Sequence, residues 1–231
     1  MSTWFFGASS DWSQRIITQL EGPVESFGRQ ANPSKYIKQI DYQPNAIKTF
    51  VDELELLPLP DTIIFNINTG PVTELPDDLS ENDYGHYEVY AGNTAFNSFN
   101  LWWDTNREQL FFKTYLSNWL TRKGYTGNIC YITSQISADH NPDFKHLHMY
   151  KNLRALDYEI IWNNRNNNIN AYGICPASNE VPMDWADYIV GKINTGDLGK
   201  EDVWLYGVSR LHAPGHYRNF TMVERKDWER V

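Results

Sequence analysis

Trp4-Phe5-Phe6-Gly7-Ala8-Ser9-Ser10-Asp11-Trp12-Ser13-Gln14-Arg15-Ile16-Ile17-Thr18-Gln19-Leu20 is the stretch whose pattern decides the architecture. Three apolar residues run into Gly7, and Ile16, Ile17 and Leu20 then follow at helical spacing. The segment therefore predicts a strand, a tight turn and a helix, which is half of a βαβ unit.

The same alternation continues outward. Residues 24–27 predict a second strand closed by Gly28, and residues 36–40 a third that ends at Asp41. A helix over 46–54 is broken by Pro58 and Pro60. The β-branched, apolar run 61–68 then predicts a strand buried on both faces. Residues 71–100 lack a period and read as a long connection. Residues 107–122 carry apolar side chains around too wide an arc for a helix covered on one side only. Strands follow at 128–133 and 169–175, separated by a helix over 144–161 and a polar, turn-prone run at 163–168. Pro176 stops the second of these strands. A helix over 185–193 and a strand candidate at 203–208 complete the reading, with 194–231 a divergent end. Strand and helix in alternation predict an α/β fold: one Rossmann-like domain over 1–231, a doubly wound parallel sheet in a three-layer α/β/α arrangement. Ligands of such sheets bind at the carboxyl ends of the strands.

Composition bounds the function. Hydrophobic residues make up 41% and aromatics 15%, enough for a buried core. The net charge of -9 argues against nucleic acid and anionic lipid as partners. No run approaches the roughly 18 apolar residues of a membrane span. No metal-ligand pattern stands out. Cys130 and Cys175 each sit in a predicted buried strand, reading as core residues in a reducing compartment rather than a disulfide. Without a basic leader or an apolar signal segment at its start, the chain reads as cytoplasmic.

Several motifs, in order, resemble those of the short-chain dehydrogenase/reductase family over roughly residues 4–190. Gly7-Ala8-Ser9-Ser10-Asp11-Trp12-Ser13 is similar to the family's T-G-x-x-x-G-x-G turn, with Asp11 and Ser13 at the second and third glycines. Asp41 stands where the family places an acid beside the adenine ring. Asn68-Thr69-Gly70 resembles its N-N-A-G signature. Pro176, with Pro182-Met183 six residues on, resembles its P-G-x-x-x-T-P-M strand end. Asn106, Ser134 and Lys151 match the spacing of its catalytic Asn, Ser and Lys, at 28 and 17 residues.

The resemblance implies NAD or NADP at Gly7, Ser9, Ser10, Arg29, Asp41, Asn68, Gly70, Lys151 and Pro176. Arg29, 22 residues beyond Gly7, is placed to hold the 2′-phosphate of NADP. It also implies a catalytic tyrosine four residues before the lysine, and Leu147 occupies that place. A leucine passes no proton. Tyr150 would point roughly 100° away around the helix, whereas His148, three residues before Lys151, shares its face and titrates near neutrality. The glycine losses weaken the cradle further. Asp11 brings a like charge toward the phosphates unless it merely caps the helix, and Ser13 adds bulk.

Two expectations follow. The first is a catalytically impaired relative used for binding, assembly or regulation, with dinucleotide binding weakened or absent, and a homo-oligomer built through helices 107–122 and 144–161. The second is an NADP-dependent oxidoreductase acting on a carbonyl or alcohol through Asn106, Ser134, Lys151 and His148. A sugar nucleotide or other nucleoside is a third occupant for the same cleft.

Overall fold

The computed structural model describes residues 1–67, 99–132, 156–157, 159–174, 186–187, 190–191, 193–194, 207–209 and 218–220; for 99–103, 174, 207–209 and 218–220 it gives the backbone path. In chain order the elements are β1 (Thr3–Phe6), α1 (Asp11–Ile17), β2 (Val24–Gly28), a 3-10 turn (Pro33–Lys35), β3 (Ile37–Gln39), α2 (Pro44–Leu54), β4 (Thr62–Phe65), α3 (Phe99–Arg122) and β5 (Asn128–Ile132). Then come α4 (helical at 156–157 and 159–166), β6 (Asn170–Ile174), α5 (helical at 186, 187, 190, 191, 193 and 194), β7 (Gly207–Ser209) and β8 (Arg218–Phe220). Six strands form one sheet in the order β3-β2-β1-β4-β5-β6, every pairing parallel. This is the strand order of the doubly wound dinucleotide-binding fold, with its reversal between β1 and β4.

Right-handed crossovers sort the helices by face. Ile47, Phe50, Val51 and Leu54 of α2, Phe112, Leu116, Trp119 and Leu120 of α3, and Ile160 and Ile161 of α4 share one buried cluster. Ile16 and Leu20, with Ala186, Val190 and Ile193 of α5, share the other. In the first layer an aromatic ladder crosses four strands. Phe27, Phe6, Phe65 and Tyr131 occupy facing positions and stack at centroid distances of 4.9, 5.2 and 5.0 Å. Phe112 of α3 meets Phe6 edge-on at 5.1 Å. Such pairs add to the burial of the rings and stiffen the sheet just below its carboxyl edge.

Local chemistry sets the helix limits. Ser10 caps α1, its hydroxyl accepting from Ser13 N–H at 3.1 Å. Pro44 opens α2, where its missing N–H costs nothing. No glycine or proline interrupts α3 until Gly124, whose φ of +68° lets the Tyr125 N–H reach back to the Leu120 carbonyl and close the helix.

The structure corrects several boundaries. The helix expected over 107–122 begins at Phe99, inside the stretch read as connection, because nothing in 99–106 breaks a helix. Asn163 to Asn166, expected as a turn, are helical, and the turn comes at 167–168. Asn164 is buried, and its amide is spent on Ser117 and Tyr131. Residues 203–206 of the last strand candidate lie outside the described residues, and its end falls in the strand Gly207–Ser209. It pairs antiparallel with β8, which the sequence reading missed, in a separate two-stranded sheet. The third strand is shorter than expected, since Tyr36 takes a left-handed conformation. Cys130 is a free, buried thiol as expected; Cys175 lies outside the described residues.

Candidate functional site

The carboxyl ends of β1 and β4 meet at the turn that follows β1. Gly7 has φ +92°, and a Cβ there would lie 1.9 Å from the Asn66 carbonyl oxygen, so only glycine lets the chain pass over β4. The N–H groups of Gly7 and Ala8 both donate to the Phe27 carbonyl, at 2.8 and 3.0 Å. The first glycine of the turn is thus demanded by the sheet itself.

Ser13, the residue in place of the third glycine, is buried and forms the hub of the turn. Its hydroxyl donates to the Gly7 carbonyl at 2.8 Å and accepts from Asn66 Nδ2 at 2.7 Å. With its only proton so used, the 2.8 Å contact to Ser10 Oγ makes Ser10 the donor. Gln14 closes the other side, its Nε2 donating to the Ala8 carbonyl at 2.7 Å. The side chains of Ser10, Ser13 and Gln14 are therefore satisfied within the turn, whereas the buried Trp12 Nε1 has no hydrogen-bond partner among the described residues. The amides of Asp11 and Trp12 in the first turn of α1 point along the helix axis without intrahelical partners, as at any helix start.

Asp11 does not cap the helix; Ser10 does. The Asp11 side chain is 98% exposed and lies 3.5 Å from Lys35 Nζ, across the mouth of the turn. Ser9 is exposed, and its hydroxyl lies against Gly28, where a Cβ would come within 2.7 Å of it. Arg29 follows directly, exposed, with its guanidinium carbon 5.8 Å from the centre of the Tyr42 ring. Tyr42 is buried, and desolvation holds its phenol well above the usual range, against a smaller opposing pull from Arg29. Asp41 is exposed and accepts from the Gln43 N–H at 3.0 Å. Gly7, Ser9, Ser10, Arg29 and Asp41 thus all lie at or just beyond the carboxyl ends of β1, β2 and β3.

Asn106 is not at a helix start or turn. It is the eighth residue of α3 and fully buried. Ser134, His148, Lys151, Asn68, Gly70 and Pro176 lie outside the described residues. Asn106 heads a buried polar stripe on α3 continued by Gln109, Lys113 and Ser117, which sequence reasoning missed. Lys113 Nζ meets Asp157 Oδ1 of α4 at 2.7 Å, with both side chains at most 1% exposed. Ser117 and Asn164 of α4 both reach the Tyr131 hydroxyl, at 3.1 and 2.7 Å. The signal was present as the spacing 106, 109, 113, 117, obscured because the apolar residues of α3 surround it. Asn66 and Gln14 were also missed, since neither belongs to a motif.

At the opposite edge of the sheet, Thr126, Asn128, Arg165, Asn168, Ile169 and Asn170 line an open cavity of about 450 Å³, away from the turn that follows β1. Among the described residues no group of three or more His, Cys, Asp or Glu could hold a metal ion, and no helix is long and apolar enough to cross a membrane.

Strand order and turn together define a Rossmann-type domain of the dinucleotide-binding kind. No family model and no curated protein matches the sequence. Solved structures do match, and they give the chain the fold of the short-chain dehydrogenases/reductases. A short-chain dehydrogenase/reductase from Vibrio parahaemolyticus superposes with a TM-score of 0.64 at 14% identity, covering 90% of this chain and 100% of that one. A 4-hydroxyisoleucine dehydrogenase complexed with NADH gives 0.61 at 18% identity, covering 92% and 99%. An alcohol dehydrogenase from the archaeon Thermococcus sibiricus, complexed with 5-hydroxy-NADP, gives 0.60 at 15% identity, covering 94% and 99%.

Proposed function

We propose that this chain is a degenerate member of the short-chain dehydrogenase/reductase family, a binding or assembly scaffold whose hydride chemistry is impaired and whose dinucleotide binding is weakened. The observation that carries the reading is the Ser13 hub. A side chain fills the third-glycine position and ties Gly7, Ser10 and Asn66 together, so the turn is stable without a ligand.

The residues fit a dinucleotide in part. Amides of Asp11 and Trp12 suit a pyrophosphate, and Arg29 suits a 2′-phosphate, which makes NADP the preferred form. Asp11 fits poorly, because its carboxylate would stand near the phosphates, with Lys35 as the cation within 4 Å of it among the described residues. A bound NADP would supply hydride chemistry, while this chain contributes binding and orientation. Leu147 in the tyrosine position removes the proton donor, a loss of commonly about 10² to 10⁴ in rate. On the outer side of α3 and α4, Phe111 and Leu156 are exposed and Phe111 lies beside Tyr115. These residues suit the homo-oligomer contact implied for helices 107–122 and 144–161.

The test is a titration of NADPH and NADH followed by intrinsic fluorescence, since Trp12 adjoins the turn. The reading expects weak NADPH binding or none, strengthened in an Asp11→Gly/Ser13→Gly variant, and no turnover. Saturation at micromolar NADPH with reduction of a carbonyl would instead establish the second reading, an NADP-dependent oxidoreductase using Asn106, Ser134, Lys151 and His148. The full burial of Asn106 at the head of its polar stripe is the observation that favours it.

A further inference from the structure

The buried pair Lys113–Asp157 is an unusual way to join two helices. Both ions are withdrawn from water, and a Met–Leu pair of similar volume would hold α3 to α4 as well or better. What an ion pair supplies, and apolar packing does not, is discrimination. Its 2.7 Å contact exists at one axial offset and one rotation, whereas aliphatic side chains repack after a slip. A second fixed point lies four residues on along α3 and seven along α4, where Ser117 and Asn164 meet over the Tyr131 hydroxyl. Tyr131 is the last ring of the aromatic ladder, so this point is anchored to the sheet. Two fixed points between two rods set both offset and rotation.

Asn106 is seven residues from Lys113 on the same face, two helical turns or about 10 Å. Between them, Gln109 is 5% exposed, and its Oε1 has no hydrogen-bond partner among the described residues. The Gln109 carbonyl itself adds no lock to that part of the stripe. We infer that Lys113 and Asp157 are positioning residues: they fix the register of α3 against α4 and so hold Asn106 in place at the carboxyl edge of the sheet. Only the consequence for ligand binding rests on reading Asn106 as a site residue.

The test uses the full chain and three variants: Lys113→Met, Asp157→Asn and the double Lys113→Met/Asp157→Leu. Each single variant removes one charge of the buried pair and is expected to lower Tm by about 10 °C. The double variant is expected to melt within a few degrees of the parent. In it, however, the Asn106 side-chain amide signal in ¹⁵N NMR should shift or broaden, amide exchange over residues 104–110 should speed at least tenfold, and NADPH affinity should fall about fivefold. A double variant with an unmoved Asn106 signal, unchanged exchange and parental affinity would reduce the pair to a merely structural contact and overturn the inference. So would single variants that melt with the parent, or a double variant that fails to fold. If the parent binds no NADPH, the dinucleotide reading weakens separately, and the Asn106 signal and exchange rates still decide the register.

Discussion

The Ser13 hydroxyl donates to the Gly7 carbonyl at 2.8 Å, joining the first turn of α1 to the end of β1 across the place where the resembled family keeps glycines. The same oxygen accepts from Asn66, which follows β4, so one side chain couples both strands that flank the reversal of the sheet. The turn after β1 is thereby tied into the frame of the sheet.

Ser13→Ala should therefore cost stability although the cavity it leaves is small. It strands the Asn66 amide and the Gly7 carbonyl in a closed turn, a penalty of about 1–3 kcal/mol. Urea unfolding measures it. A change below about 0.5 kcal/mol would show that water takes over the hub.

Gly7→Ala should be more damaging. The new Cβ would meet the Asn66 carbonyl oxygen at 1.9 Å, and the φ of +92° is unfavourable for any L side chain. A loss of at least about 3 kcal/mol is expected, combining backbone strain with displacement of β4. A variant that unfolds at the parental urea midpoint would mean the turn relaxes freely.

Much of this was legible in the sequence. The Gly7 turn and the apolar strands announced the parallel sheet, because a strand buried on both faces leaves a continuous β-branched or aromatic run, as in Ile63-Ile64-Phe65. What stayed hidden was set by tertiary contact. The asparagine run 163–168 reads as a turn because asparagine competes for backbone groups locally, yet Asn164 spends its amide on Ser117 and Tyr131 and the helix continues. Lys113 belongs to no motif, and its burial makes sense once Asp157 is set opposite it. No spacing rule could reveal that Ser13 would bond Asn66, 53 residues away.

Three exposed carboxylates contribute to the acid limb of stability. Hydrogen bonds from the Ser2 backbone depress Asp61, the Trp119 indole and then Lys123 depress Glu55, and Arg15 followed by Gln19 depresses Asp187. A depressed folded pKa means stability that is present above the ordinary carboxylate range, near 4, and is lost as pH falls through the folded value. Solvent screening keeps each share small. Thermal melts between pH 7 and pH 2.5 should show Tm falling below about pH 4, more shallowly in Asp61→Asn. Parallel curves for the two proteins would assign the limb to other groups.

Phe111→Asp is the direct probe of assembly. Phe111 is 40% exposed beside Tyr115, so a charge there leaves the monomer intact while opposing apolar contact between copies. On the proposed reading that copies associate through α3, sedimentation should show the parent chain as an oligomer and the variant as a monomer, with Tm changed by no more than a few degrees. An unchanged association state would place the contact elsewhere.

Arg29 offers the cleanest separation of binding from stability. Its guanidinium lies over the buried Tyr42 ring, which holds the planar group at the exposed edge beyond β2. Because the side chain is exposed, Arg29→Gln should shift stability by no more than about 0.5 kcal/mol. A 2′-phosphate, by contrast, would lose a charge-assisted, bidentate partner, and a glutamine amide cannot replace it. NADPH affinity should then drop about tenfold while NADH affinity stays level, removing any preference between them. Raising salt should erode the NADPH advantage of the parent and leave the variant little changed. Equal losses for both nucleotides would mean that Arg29 shapes the cleft by packing on Tyr42 rather than by reading the phosphate. In that case Tyr42→Ala should reproduce the effect and Tyr42→Phe should not.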